Sequence, residues 1–184
     1  MVTMKMRNPG LDLVNSEHIR GLDRIDDELE NPRWLERFLV RWSLPGPLSA
    51  HERARLRTLR GVLRAMVDEL SNAQTVSDAS LRRLHDFLPP IATRSVLERD
   101  GAGLRLVRQT EGPRHASAEV ALTFAELIAG DGWRRVKACN NPHCRWAYYD
   151  ESRNRSRRWC DSAECGNVMK VRAFRKRRGE IANG

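Results

Sequence analysis

Four cysteines, Cys139, Cys144, Cys160 and Cys165, sit within 27 consecutive positions of a 184-residue chain that has no others. Four residues lie inside each pair and fifteen lie between the pairs. Thiolates are soft, strong ligands, and two such pairs on a short connector form a tetrahedral four-sulfur zinc pattern. Four sulfurs close the coordination shell, so the implied Zn2+, one per chain, is structural and leaves no position open for a reacting water. Three other readings use the same residues: two disulfides, four unrelated buried thiols, or an iron–sulfur cluster. The tight grouping argues against unrelated thiols, and the polar, arginine-rich surroundings argue against a cluster. His143, beside Cys144, offers a substitute nitrogen ligand, but four sulfurs already suffice.

The cysteines are embedded in positive charge. The chain carries a formal +9, and the stretch from Trp133 to Arg178 holds 14 Lys and Arg against 4 Asp and Glu. That stretch alone accounts for the whole surplus, so the remainder is close to neutral. Concentrated positive charge on a small module points to a polyanionic partner. Arg153, Arg155, Arg157 and Arg158 fall on the loop between the cysteine pairs, and Lys170, Arg172, Arg175 and Lys176 follow the last cysteine. The same stretch is poor in large apolar groups, so the metal must supply much of its folding free energy, on the order of 10 kcal/mol for four thiolates.

The rest of the chain must hold this module in place. "ENPRWLERFLVRW" reads as a helix start, with Asn31 as N-cap and Pro32 at the first helical position, and "PGP" at 45–47 as its stop. "SAHE" reads as a capping box of Ser49 and Glu52, opening a helix over roughly 50–71 with Leu56, Leu59, Leu63, Met66, Val67 and Leu70 at period 3.6. A shorter helix over about 78–88 stops at Pro89-Pro90. The period then changes, and two β-type runs around Asp100-Gly101-Ala102-Gly103 read as a hairpin. An apolar helix follows Pro113 and ends at Gly130. Leu11, Leu13 and Val14 anchor either a first strand or a helix turn. The fold class is therefore α+β: a mostly helical N-terminal domain with one β-hairpin over 1–132, and a small treble-clef-like four-cysteine finger with a basic C-terminal helix over 133–180.

"SRNRSRRWC" at 152–160, then "CGN" at 165–167 before a basic helix, resembles the CGNR zinc finger. In bacterial proteins that finger forms the C-terminal part of the ABATE-domain family of stress-induced transcription regulators. "LDLVN" at 11–15 resembles the family's opening motif, and the helix–hairpin–helix order up to "GDGWRRVKAC" fits its N-terminal domain. The resemblance implies that Cys139, Cys144, Cys160 and Cys165 hold zinc. One position departs: the family's final arginine is Val168 here, although Lys170 and Arg172 lie within about one turn.

Together these features predict a DNA-binding transcriptional regulator, with the eight named cations on phosphates and base edges. The alternative is an RNA- or ribosome-binding module that stacks unpaired bases on Trp146, Tyr148, Tyr149 and Trp159. Catalysis has little support: the histidines are scattered, no phosphate loop, HExxH or nucleophile elbow is present, and "DRIDDELE" reads as an exposed acidic face. A near-neutral domain beside such a finger suits a sensor or a homodimerisation unit, with Asn15 and Arg60 as candidate contacts to a small-molecule effector. No run of about 18 apolar residues and no secretory leader pattern is present, so the expected location is cytoplasmic, away from the membrane.

Overall fold

The computed structural model describes residues 7–20, 24–72, 75–88, 92–101, 103–111 and 114–182. The expected Pro89-Pro90 stop, the turn residue Ala102 and Pro113 lie outside them. The elements in order are α1 (Pro9–Val14), β1 (Glu17–Arg20), β2 (Arg24–Asp27), α2 (Pro32–Arg41), α3 (Ala50–Ser71), α4 (Asp78–His85), β3 (Ala92–Asp100), β4 (Gly103–Glu111), α5 (Ala116–Ile128), β5 (Val136–Ala138), β6 (Ala147–Tyr149) and α6 (Asn167–Ala182). The strands form three separate two-stranded antiparallel ladders.

Helix α3 is the spine. Its period-3.6 face buries Leu56, Leu59, Leu63, Met66 and Val67 completely. Ser49 caps it, accepting the Glu52 amide at 3.1 Å. The reciprocal half of the capping box does not form. The Glu52 carboxylate instead accepts the Ser117 amide at 2.7 Å, in the first turn of α5. The N-cap of α5, His115, makes no side-chain bond, so a buried amide there needs an acceptor from elsewhere. Asn31 caps α2 as the sequence predicts, accepting the Arg33 amide at 3.1 Å, and Pro32 takes the first position.

The first segment, left open between strand and helix, is a helix. Asn8 accepts the Gly10 amide at 2.8 Å and Pro9 pre-sets the first turn. Leu13 and Val14 are fully buried, and α1 crosses α5 so closely that a Cβ on Gly10 meets Phe124 at 2.7 Å. A second N-terminal hairpin, β1–β2, joins the one expected. Its signal is faint in the sequence because Ile19 and Ile25, paired across the ladder, are the only large apolar residues of its two strands. The acidic run that begins in β2 is not simply an exposed face. Arg60, buried on α3, forks onto Asp27 at 2.6 and 2.7 Å and reaches Ser16 Oγ at 3.1 Å.

The hydrophobic core lies between α1, α3 and α5 and extends beyond the helices. Val136 of β5 and Ala147 of β6 are buried in the same cluster, so the cysteine region is packed onto the helical body through its short ladder.

Candidate metal centre and nucleic-acid surface

The four cysteines converge. Their sulfurs all lie within 4.8 Å of one another, with Cys144–Cys160 at 3.6 Å and Cys160–Cys165 at 3.7 Å. These are not disulfide distances, and all four thiols are free. A tetrahedron with metal–sulfur bonds of about 2.3 Å has sulfur–sulfur edges of roughly 3.8 Å, so the donor set fits one four-coordinate ion. Among the described residues this is the one group of three or more His, Cys, Asp or Glu close enough to hold a metal.

Each ligand is placed by local structure. Cys139 directly follows β5, and its amide is held by the Trp146 carbonyl at 2.9 Å. Asn-Asn-Pro makes the expected knuckle: the Cys144 amide reaches the Asn141 carbonyl at 2.9 Å, and the Asn141 side chain accepts the His143 amide at 3.2 Å. His143 does not join the sulfurs. The Asn141 amide also donates to Cys165 Sγ at 3.5 Å, tying the two pairs together. Cys165 sits in a single π-helical turn, Ser162–Gly166, capped by Asp161, which accepts the Ala163 and Glu164 amides. Helix α6 starts directly from that turn. A Cβ on Gly166 meets the Trp159 ring at 3.1 Å, a physical reason for glycine after the last ligand.

The thiols compete for charge. The hydrogen bond from Cys160 lowers the Cys144 thiol to about 5. That same bond pushes the Cys160 thiol up, and burial pushes Cys165 up. A bound dication removes this conflict, because it stabilises all four thiolates at once.

A second polar centre, missed in the sequence, shapes the arginine loop. Asp150 is fully buried and accepts from Lys137 Nζ at 2.6 Å, Ser152 Oγ at 2.6 Å and the Arg157 amide at 2.9 Å. Burial opposes its ionisation, but these bonds outweigh it and hold the carboxyl below its usual range. Lys137 also donates to the carbonyls of Arg155 and Arg157. The signal available was an acid two residues before a serine and one lysine on a strand, too common a pattern to single out.

The predicted nucleic-acid residues divide. Arg153, Arg155 and Arg158 are exposed on the loop, and Lys170, Arg172, Arg175 and Lys176 are exposed on α6. Arg157 turns inward. It donates to the Trp159 carbonyl at 2.8 Å and to the Cys160 carbonyl, and its guanidinium lies 5.0 Å over the Tyr148 ring. Of the four rings proposed for stacking, Tyr148 is buried, Tyr149 and Trp159 are half-buried, and Trp146 is 41% exposed.

Asn15 and Arg60 have internal partners. The Asn15 amide both donates to and accepts from the Ala147 backbone at 2.8 Å, which extends the β5–β6 ladder onto α1. Arg64 reaches the Arg145 carbonyl at 2.7 Å, Arg145 pairs with Asp68 at 2.5 Å, and the Ala138 amide donates to Ser71 Oγ at 2.5 Å. Four separate polar links thus clasp the cysteine region to α1 and α3.

Comparison with known families matches residues 135–178 to the CGNR zinc finger. Residues 7–131 match the ABATE model, described as "Putative stress-induced transcription regulator". The chain belongs to the ABATE family. Comparison with curated proteins finds no match. The CGNR finger carries all four sulfurs, the Asp150 centre and most of α6, while the ABATE part supplies the helices that clasp it. Val168, at the fourth position of the finger's signature, is 44% exposed on the first turn of α6, outside the sulfur cluster. Among the described residues, no helix is long and apolar enough to cross a membrane.

Proposed function

We infer that this chain is a DNA-binding transcriptional regulator in which one Zn2+ on Cys139, Cys144, Cys160 and Cys165 fixes a basic loop and a basic helix against duplex DNA. One observation carries the reading. Helix α6 spans sixteen residues, bears six Lys and Arg, and from Asn167 to Arg178 every residue but half-buried Met169 is exposed. An isolated helix of that length is marginal in water, and one whose described residues are nearly all exposed gains from a partner surface. Its cations select an anionic one, and an α-helix fits the major groove.

Arg153, Arg155 and Arg158 on the loop add phosphate contacts, and Arg157 keeps the loop in shape. The RNA alternative draws less support, because stacking needs open rings and Trp146 is the one that is well exposed. One finger binds weakly, so two copies acting on one duplex in the cytoplasm belong to this reading. For a small-molecule effector, Asn15 and Arg60 are less suited, because their side chains already bond within the chain. The groove of about 790 Å3 between α2 and α3, walled by Leu35, Leu39, Leu44 and Leu48 with Arg53 at its rim, has the volume of a ligand site.

Duplex binding of the zinc-loaded protein across a salt series tests the reading. About six phosphate contacts give a log–log slope near −5. A slope near zero, or a preference for single-stranded RNA in competition, overturns it.

A further inference from the structure

The ABATE part is near neutral in sum, but its charge is not evenly placed. Helix α2 carries Arg33, Arg37 and Arg41 at a spacing of four, and all three are exposed. Such a spacing keeps them within roughly 80° of arc and spreads them over about 12 Å of the helix axis. Phe38, on another side of α2, is buried in the core, so the arginine row faces outward. Glu36 is the one acid of α2. Among the described residues, Arg33 and Arg37 form no ion pair, with Glu36 or any other acid. Arg41 meets Asp12 at 3.4 Å, and that carboxylate also accepts Trp42 Nε1 at 3.1 Å.

The row runs up to the finger. Arg37 and Arg41 share a cleft of about 230 Å3 with Asp12, Trp34 and Trp146. Trp146 belongs to the cysteine module, directly before β6, and is 41% exposed. The next residue, Ala147, is bonded through its backbone to Asn15, so the clasp fixes the ring beside α2. The cleft is smaller than the ~300 Å3 at which ligand pockets begin, and it opens beside unpaired cations, so it suits a surface contact better than an enclosed ligand.

We propose that α2 is a second contact to the duplex held by the finger, with Arg33 and Arg37 on phosphates and Trp146 covered at the seam. Duplex DNA carries one negative charge per ~1.7 Å of its axis, so a row of cations about 12 Å long has several phosphates within reach. The planar guanidinium fork suits phosphate oxygens. Contacts to phosphate position a protein on the duplex without reading its sequence, so α2 sets the orientation of the finger while α6 meets the base edges. The wider groove between α2 and α3 does not compete for this partner. Its cations, Arg53 and Arg57, are matched in number by Glu30 and Glu36, and Arg57 is paired to Glu30. The inference rests on the DNA-binding reading and gives the ABATE part a share in it.

Duplex binding of the zinc-loaded full chain across a salt series tests it. Arg33→Ala/Arg37→Ala leaves Arg41 on Asp12 and removes two exposed side chains. It is expected to flatten the log–log slope by about 1.8 and to weaken binding roughly tenfold near physiological salt, with unchanged melting. The hairpin pair Arg99→Ala/Arg105→Ala removes the same formal charge and is expected to leave the slope where it was. Trp146, followed as the difference in emission between the wild type and Trp146→Phe, is expected to lose its access to acrylamide when duplex is added. An α2 variant that keeps the wild-type slope, a hairpin variant that loses as much, or a Trp146 that stays open to acrylamide overturns the inference and leaves DNA binding by the finger standing. A wild type whose own slope is near zero overturns both.

Discussion

Helix α6 and the β3–β4 hairpin both carry large apolar side chains in the open: Val168, Val171 and Phe174 on the helix, Leu97, Leu104 and Leu106 on the hairpin. They differ in what holds them and in charge. Helix α6 grows out of a sulfur cluster and carries six cations against one acid; the hairpin grows out of the helical body and is nearly balanced. An exposed apolar surface thus has different meanings in the two places. On α6 it lies among cations suited to a polyanion, and on the hairpin it stands in a segment of nearly balanced charge.

Removing the metal should separate the two arms most sharply. Zinc contributes on the order of 10 kcal/mol of apparent free energy to a four-cysteine module. Chelation is therefore expected to melt α6 and the arginine loop, lowering helical ellipticity and abolishing duplex binding. The β3–β4 amides, followed by hydrogen exchange in the same sample, should keep their protection. Unchanged ellipticity after complete metal removal would show that the sulfurs do not organise α6.

The next effect is on binding alone. Lys170→Ala/Arg172→Ala/Arg175→Ala/Lys176→Ala removes four exposed cations and no core contact. If each meets one phosphate, the salt slope falls by about 3.6, and affinity near physiological salt drops at least 100-fold. Arg99→Ala/Arg105→Ala on the hairpin, measured alongside, should leave the slope where it was. Equal losses in both variants would erase the distinction between the arms.

How much of this contrast was legible in the sequence depends on how local each signal is. The sulfur site was, because four thiols at fixed spacing mark a metal site without reference to the fold. The α3 helix and the Asn31 and Ser49 caps were too, since period and cap chemistry lie within a few residues. What failed was long-range. Glu52 was assigned to its own helix, but α5 lay close enough to take it. Asn15 and Arg60 were singled out as contacts to an effector, and the partners they find in the fold, Ala147 and Asp27, are 132 and 33 positions away. Arg157 looks like its three neighbours in sequence, and only the folded loop shows that it points inward. The hairpin was foreseen, but not that its leucines remain uncovered, because periodicity reports a face and not what packs on it.

Asp150 gives a smaller, thermodynamic effect confined to the finger. Asp150→Asn keeps the shape but leaves Lys137 with a buried, weaker partner, at a cost of about 3 kcal/mol. The carboxyl is held below its usual range in the fold, so its contribution is complete above pH ~4 and fades as pH falls through the folded value. Asp27, lowered chiefly by its bond from Arg60, adds a second contribution of the same sign in the helical body. Melting temperature should therefore fall on acidification below about pH 4, less steeply in Asp150→Asn than in the wild type. An identical acid profile would place the acid-sensitive groups elsewhere.

The smallest expected change is in the stability of a variant that replaces two exposed leucines of the hairpin. Leu97 and Leu106 are mostly solvated already, so Leu97→Ser/Leu106→Ser at low protein concentration should shift unfolding free energy by no more than about 0.5 kcal/mol. Leu63, fully buried on α3, should cost roughly 2 to 5 kcal/mol when truncated to Ala. Urea unfolding monitored at a few micromolar measures both. A leucine pair that costs as much as Leu63 in the monomer would mean that the hairpin face is already packed within one chain, and the contrast with α6 would then rest on charge alone.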